Sequence, residues 1–168
     1  GYGYRNVVAE AEGKKGETNF LEIGRDYIKT MELKMAEGRA FDAQMEGDYT
    51  KSILITENLA ANYGWKNKEA LGKTIFIDSL YYSVVGVLKD FQLDDLFAPK
   101  EPVVMKLGKE NRYQFLVIQS KISDLELVYA KTRDAWKKTF PMKPFTGFYQ
   151  NEVTKEAYQT TNSIAKIF

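Results

Sequence analysis

The chain has 168 residues and a net charge of +1, and its 24 basic and 23 acidic residues are spread without long runs of one sign. This balance gives no strong field for nucleic acid or an anionic membrane, while 44% hydrophobic residues are enough for a packed core in one domain or two small lobes. The chain has no cysteine and no histidine, which excludes thiol nucleophiles, Cys/His zinc sites and imidazole proton relays. No stretch reaches the roughly 20 apolar residues of a membrane span, so we expect the chain as given to be soluble.

The first forty residues predict a strand pair followed by a short helix. Residues 12–17 are polar and contain two glycines, which is typical of a hairpin loop with a strand on each side. Leu21 and Ile23 alternate with polar residues, as in a strand with one buried face. Residues 25–33 carry apolar side chains at helical spacing, and the turn at 38–41 ends this unit.

The next segment predicts a buried strand that leads into two short helices. Residues 52–55 are suited to the strand, and Thr56 is placed to cap a helix that Gly64 ends in the left-handed conformation. Asn67 is placed to cap a second short helical turn, which runs through Leu71 and is closed by Gly72.

A hairpin then supplies the central strand. Residues 73–78 predict its first strand, and the chain turns at Ser79 and Leu80. Residues 82–88 are rich in β-branched and aromatic side chains, which favours a buried second strand. The single glycine within that strand, Gly86, indicates a bulge or a close approach of another backbone segment.

The last third of the chain predicts strands at 103–107, 113–119 and 144–149. Between the second and third of these, Ser123 and Glu126 form the pattern of a capping box at the start of a helix. The helix has an apolar stripe and ends before a proline. The stripe consists of Leu125, Val128, Tyr129, Thr132 and Trp136. A final, increasingly apolar helix is predicted over 153–168.

Two apparent ligand motifs have simpler interpretations. Gly72-Lys73-Thr74 resembles part of a nucleotide-binding loop, but Asn67 stands where that loop requires a glycine, and a helical turn leads into a strand rather than the reverse. The acidic residues after the central strand, Asp90 and the pair Asp94-Asp95, lack the interleaved spacing of a calcium loop and suit a solvated turn. We therefore expect no cofactor and no bound ATP or divalent metal.

A short amphipathic segment follows the central strand. Leu93, Leu96 and Phe97 surround the acidic pair Asp94-Asp95 and are followed by Pro99. Such a segment either folds back to cover the end of the core or forms a small exposed patch with an acidic rim. Leu93, Leu96 and Phe97 are therefore candidate partner-facing residues, with core capping as the alternative.

Five short segments together carry a resemblance to a known family. They are residues 26–31, 38–41, 53–60, 71–73 and 84–91. Their most specific parts are a Gly-Arg-x-Phe turn, a Gly-Lys after a short helix, and a Val-Val-Gly-Val strand that ends in Lys-Asp-Phe. In order and spacing the region from Asp26 to Pro102 resembles the periplasmic core domain of MacB-like ABC transporter permeases, within the FtsX-like permease superfamily.

The resemblance implies an α+β fold with mixed and antiparallel sheets. A membrane-proximal β-α-β lobe would comprise residues 1–40 and 111–168 and would be incomplete at its N-terminus. An inserted strand-rich upper lobe would comprise residues 41–110. Residues 153–168 would then lead towards the second membrane helix of the permease.

The resemblance also implies a function without catalysis. The domain would lie in the periplasm of a bacterium, anchored in the inner membrane through the full-length permease, and would couple ATP-driven movement of membrane helices to a periplasmic partner or substrate. Its expected partners are an ATPase subunit or domain, a periplasmic adaptor or lipoprotein, and a second permease copy, with the isolated domain monomeric and no nucleic acid bound. Family roles include efflux, lipoprotein traffic, peptide resistance and cell-wall control.

The residues alone leave two other classes open. A closed apolar pocket would favour a soluble module that binds a small ligand or peptide. A pair of carboxylates about 5 to 9.5 Å apart in a deep cleft would favour a histidine-free hydrolase such as a glycosidase.

Overall fold

The structure is a computed structural model that describes residues 4–93 and 100–149. These residues form two compact units, the first from 4–93 with 100–117 and the second from 118–149. The first unit contains seven strands and four short helices. The strands are β1 (Tyr4–Ala11), β2 (Lys14–Ile23), β3 (Met35–Gly38), β4 (Ser52–Thr56), β5 (Thr74–Ile77), β6 (Leu80–Leu88) and β7 (Val103–Leu107). The helices are α1 (Tyr27–Thr30), α2 (Glu46–Thr50), α3 (Glu57–Tyr63) and α4 (Asn67–Ala70), followed by a 3-10 turn at Glu110–Arg112.

The seven strands form one mixed sheet. Their order is β3-β6-β4-β7-β2-β1-β5, and β5 also pairs with β6. This extra pairing joins six of the strands into a closed ring. The first part of β6 pairs with β5, and its last part pairs with β3, the strand that lies outside the ring. The pairs β2–β7 and β4–β6 are parallel, while the other pairs are antiparallel. The expectation of an α+β fold with mixed sheets is confirmed at this level.

Two tight hairpins belong to the ring. Glu12 and Gly13 connect β1 to β2 with positive φ angles of 50° and 75°, and Asp78 and Ser79 connect β5 to β6 with φ angles of 51° and 67°. Two-residue turns with both residues at positive φ match the right-handed twist of the strands they join. The predicted loop at 12–17 is therefore too long, since β2 already starts at Lys14.

Buried side chains form a cluster on each face of the sheet. The first cluster contains Val7, Ala9, Ala11, Phe20, Ile53, Ile55, Leu59, Ala60, Tyr63, Trp65, Ala70, Ile75, Ile77, Tyr82, Val84, Val87 and Val104. The second contains Leu21, Ile23, Leu54, Leu88, Val103 and Met105. Strand β4 serves both clusters, because Ile53 and Ile55 enter the first and Leu54 the second. A strand buried on both faces needs a continuous apolar run, which is what its sequence provides.

The predicted helices of the first unit are confirmed with small shifts. Helix α3 follows Thr56 and ends at Gly64, whose φ of 84° is left-handed as expected. Helix α4 begins one residue earlier than predicted, since the predicted cap, Asn67, is already helical and Lys66 takes the capping position. There the Lys66 backbone N–H donates to Glu69 at 3.0 Å.

The second unit is organised around one longer helix. It comprises a 3-10 turn at Ile122–Asp124 and α5 (Leu125–Thr139). The five residues of the predicted apolar stripe are all half-buried, which confirms the stripe. The predicted capping box is wrong, because Asp124 is the N-cap and makes no side-chain cap bond, and the Ser123 hydroxyl donates to the Asp124 carboxylate instead.

Two predicted strands are absent from the structure. Residues 113–119 and 144–149 have no regular secondary structure, although both are rich in β-branched or aromatic residues. Strand propensity measures how well side chains pack on a paired, half-buried surface, so it has no effect where no neighbouring strand is available. Accordingly Phe115 and Leu116 are 55% and 79% exposed.

The predicted division into lobes differs from the observed grouping. Strands β1 to β3, within the predicted lower-lobe segment 1–40, share one sheet with β4 to β7 from the predicted upper lobe at 41–110. The first unit continues to residue 117. The predicted helix at 153–168 lies outside the described residues. Within residues 4–93 and 100–149, no helix is both long and apolar enough to cross a membrane.

Candidate functional site

Two glycines bring β3 and β6 into unusually close contact. Gly38 has a φ of 73°, and a Cβ atom on it would lie 2.5 Å from the Val85 carbonyl oxygen. A Cβ on Gly86 would lie 2.4 Å from the Arg39 carbonyl oxygen. The register of β4 against β6 also shifts here, because Leu54 pairs with Gly86 and skips Val85. Both parts of the prediction for Gly86, a bulge and a close approach, are therefore confirmed.

An ion pair with one buried partner lies directly after this contact. The Arg39 guanidinium donates to both carboxylate oxygens of Asp48, at 2.6 and 2.9 Å. The Ser52 hydroxyl and the Asp42 backbone N–H donate to the same carboxylate at 2.6 and 2.8 Å. Asp48 is only 1% exposed. The turn at 38–41 is thus joined to α2 and to the first residue of β4.

The electrostatics of this pair follow from its hydrogen bonds. The Arg39 guanidinium, helped by the donors from Asp42 and Ser52, lowers the pKa of Asp48 from 3.8 to about 2, against the opposing effect of burial. The same hydrogen bond raises the pKa of Arg39 above its usual value. Asp48 is therefore a carboxylate held in its charged form, as a structural anchor requires. Sequence reasoning missed it, because a single aspartate in a polar turn carries no local signal.

The start of α3 holds both ends of the segment 91–99 close together. The Asp90 carboxylate accepts from the Asn58 backbone N–H at 2.9 Å and so caps the helix from 32 positions away. The Asn58 side-chain amide donates to the Lys100 carbonyl at 2.7 Å, and the Lys100 ammonium donates to the Asp90 carbonyl at 3.0 Å. The predicted cap, Thr56, instead accepts from the Val103 backbone N–H at 2.9 Å. Asp90 and Lys100, which flank the amphipathic segment, therefore lie together at the start of α3.

The structure describes only the first of the three candidate partner-facing residues. Leu93 is half-buried and packs against the second cluster, beside Phe91. Leu96 and Phe97 lie outside the described residues. Their partner-facing role remains a prediction.

The Gly-Lys-Thr sequence serves the fold through its backbone. Gly72 has a φ of 77°, and its N–H donates to the Val84 carbonyl at 2.8 Å. The Lys73 backbone N–H donates to Ala70, and its ammonium pairs with the Glu12 carboxylate. A phosphate-binding loop presents these backbone and side-chain groups to its ligand. Here they are already bonded within the protein.

Carboxylates and surface depressions are two further features of the described residues, 4–93 and 100–149, at which a ligand could be held. No three acidic residues there are grouped as metal ligands. Two surface depressions of about 430 Å³ lie along β1 and β5, and their walls include Glu10, Phe76 and charged neighbours. The Tyr63 hydroxyl is buried without a hydrogen-bond partner in the described structure, and burial raises its pKa to about 12.

Comparisons with known proteins agree with this geometry. A family model described as the MacB-like periplasmic core domain matches residues 2–137. The macrolide export ATP-binding/permease protein MacB of Aggregatibacter actinomycetemcomitans is 26% identical over 113 residues, which is 63% of this chain. This chain covers only 17% of that protein, or about one sixth of its length.

Solved structures show the same fold. The periplasmic region of MacB from Actinobacillus actinomycetemcomitans superposes with a TM-score of 0.60 at 15% identity, covering 93% of this chain and 73% of that one. The extracellular domain of the noncanonical ABC-type transporter YknZ from Gram-positive bacteria gives a TM-score of 0.62 at 13% identity, covering 84% and 74%.

The first unit is thus a mixed α+β domain of the type found in these extracytoplasmic regions. The family match covers well over half of the sequence. The chain belongs to the MacB-like periplasmic core domain family.

Proposed function

We propose that the chain is the extracytoplasmic part of an ABC transporter permease. It couples ATP-driven movement of membrane helices to a periplasmic partner or substrate and catalyses no reaction itself. The family match carries this proposal, and the relative's name as an ATP-binding/permease protein supports it. The same match favours a transporter role over a soluble binding module or a carboxylate hydrolase.

A coupling domain of this kind must keep its shape when it is moved. The closed ring of six strands leaves few free strand edges, and the two clusters bury apolar side chains on both of its faces. The ion pair between Arg39 and the buried Asp48 joins the turn after β3 to α2, and the bond from Ser52 joins Asp48 to β4 of the ring. Close-packed protein interiors transmit displacement as rigid bodies. We therefore propose that the first unit moves as one piece when the permease changes state.

The proposed assembly contains an ATPase subunit or domain and a second permease copy, with a periplasmic adaptor or lipoprotein as the external partner. The membrane-proximal β-α-β lobe of the permease includes residues that lie outside the first unit. The segment that carries Leu93, Leu96 and Phe97 is the proposed contact for the external partner. Because both ends of this segment meet at α3, displacement of the first unit is passed directly to it.

Affinity purification of the intact permease from membranes tests both parts of this proposal. We expect ATPase activity, from a subunit or from a domain of the permease itself, in the purified sample of every variant, and an adaptor or lipoprotein to be lost with Leu96→Ser or Phe97→Ser. The free energy of unfolding of the 168-residue chain should change by less than about 0.5 kcal/mol in both, as expected for exposed positions. Leu80→Ser, at a leucine that is 55% exposed elsewhere, is the matched control and should retain the partner.

The outcomes separate the two claims. Absence of ATPase activity from the purified permease contradicts the transporter role. If an ATPase is present but the serine variants lose several kcal/mol of stability, Leu96 and Phe97 belong to the core and the partner contact lies elsewhere.

A further inference from the structure

Basic charge is concentrated at the end of α5, although the whole chain is nearly neutral. Residues 131–143 contain five basic side chains and one acidic side chain, while the other 155 residues contain 19 basic and 22 acidic ones. The basic residues are Lys131, Arg133, Lys137, Lys138 and Lys143. The overall balance therefore conceals a local field that is opposite in sign to that of the remaining chain.

The helix dipole accounts for only part of this concentration. Lys137 and Lys138 lie in the last turn of α5, where cations are favoured. Arg133 precedes that turn and Lys143 lies beyond the helix, so neither gains much from an effect that is confined to the last turn. A different reason is needed for the full set.

Apolar side chains are exposed at the same place. Met142 is 94% exposed and Phe140 is 40% exposed. The Phe140 ring packs at a tilt against Trp136, with 4.7 Å between the ring centres, and the Lys143 ammonium lies 5.6 Å from the Phe140 ring centre. The Trp136 indole N–H donates to the Lys143 carbonyl at 3.1 Å, which folds the turn back onto the helix. We call the group Lys137, Lys138, Phe140, Met142 and Lys143 the basic tip.

We propose that the basic tip binds the surface of an anionic phospholipid membrane. Lysines beside exposed apolar and aromatic side chains are the combination that binds such surfaces, since the ammonium groups pair with phosphate headgroups and the apolar groups enter the interface. Nucleic acid is a poorer match, because its binding domains are strongly basic overall whereas this chain has a net charge of +1. This contact goes beyond the proposed coupling role and does not depend on it.

Co-sedimentation with vesicles tests the proposal. The 168-residue chain is mixed with vesicles of phosphatidylcholine alone or with added phosphatidylglycerol. We expect binding only to the anionic vesicles, and a loss of binding as the salt concentration rises. Lys137→Glu/Lys138→Glu/Lys143→Glu should weaken binding by about a hundredfold or more. Met142→Ser should weaken it by a smaller factor.

A matched control changes the charge equally at three exposed lysines of the first unit. Lys29→Glu/Lys51→Glu/Lys68→Glu should bind anionic vesicles nearly as well as the parent chain. Circular dichroism confirms that both triple variants are folded. The proposal is overturned if the parent chain binds neutral vesicles equally, binds no vesicles, or loses binding to the same extent in both triple variants. The first of these results would point to apolar adsorption, and the second to an acidic protein surface as the partner of the basic tip.

Discussion

Replacing Gly86 with alanine is expected to lower the free energy of unfolding by about 3 kcal/mol or more. The added Cβ would lie 2.4 Å from the Arg39 carbonyl oxygen and 2.9 Å from the Leu54 side chain. The flexible end of Met35, at 2.6 Å, can move aside, but a backbone oxygen cannot move without separating β3 from β6. Urea unfolding followed by circular dichroism measures the change.

Two other glycines provide graded controls. Gly72→Ala should cost only about 1 kcal/mol, because its φ of 77° is unfavourable for alanine but no atom lies within 4 Å of the new Cβ. Gly16→Ala should have almost no cost, since its surroundings are open and its φ is not in the left-handed region. If Gly86→Ala proves as stable as Gly16→Ala, the placement of β3 against β6 is wrong.

Replacing Asp48 with asparagine is the second large effect, with an expected loss of about 2 to 3 kcal/mol at neutral pH. The substitution removes the charge that pairs with Arg39 and leaves the donors of Asp42 and Ser52 with a weaker acceptor. The loss is kept below that of a fully buried pair because the Arg39 side chain is 44% exposed. Chemical unfolding at pH 7 measures it.

The same carboxylate predicts a pH dependence. A folded-state pKa of about 2, below the ordinary 3.8, means that the charged form stabilises the fold above pH 3.8 and that this stability is lost as the pH falls towards 2. The contribution is about 2 kcal/mol. Asp48→Asn should flatten the stability curve in this range, whereas Glu17→Gln, at an exposed position, should not. Parallel curves for Asp48→Asn and the parent chain would contradict the ion pair.

Elements whose signal is local could be predicted from the sequence. Strands β4 and β6 were visible as apolar, β-branched runs, and the end of α3 was visible from Gly64. The role of Gly86 was also predictable, because a glycine inside such a run weakens the strand unless another backbone segment approaches it.

Features that depend on distant partners could not be predicted. The carboxylate that caps α3 belongs to Asp90, far along the chain, and the nearby Thr56 has a different partner. The ion pair of Asp48 joins a turn, a helix and a strand in one network. For residues 113–119 the sequence predicts a strand that does not form, since no other strand of the described part of the chain lies beside these residues. In each case the local structure depends on residues that are distant in the sequence.

The family resemblance could be seen because its scattered segments meet around β6. Gly38 contacts Gly86, the Gly72 N–H bonds to the Val84 carbonyl, and Asp90 caps the helix that follows β4. Contacts of this kind fix both the residue types and the spacing between them. The segments therefore identify a fold together, although each is weak alone.

Distances between spin labels in the intact permease test the central claim, that the first unit moves as a rigid body when ATP is used. The 168-residue chain has no cysteine, so Lys51→Cys and Lys68→Cys place labels at exposed positions of the first unit. We expect the distance between labels at 51 and 68 within one copy to stay constant when the nucleotide is trapped with vanadate. The distance between labels at 68 in the two permease copies should change. An unchanged distance between copies, or a changed distance within one copy, would contradict the account.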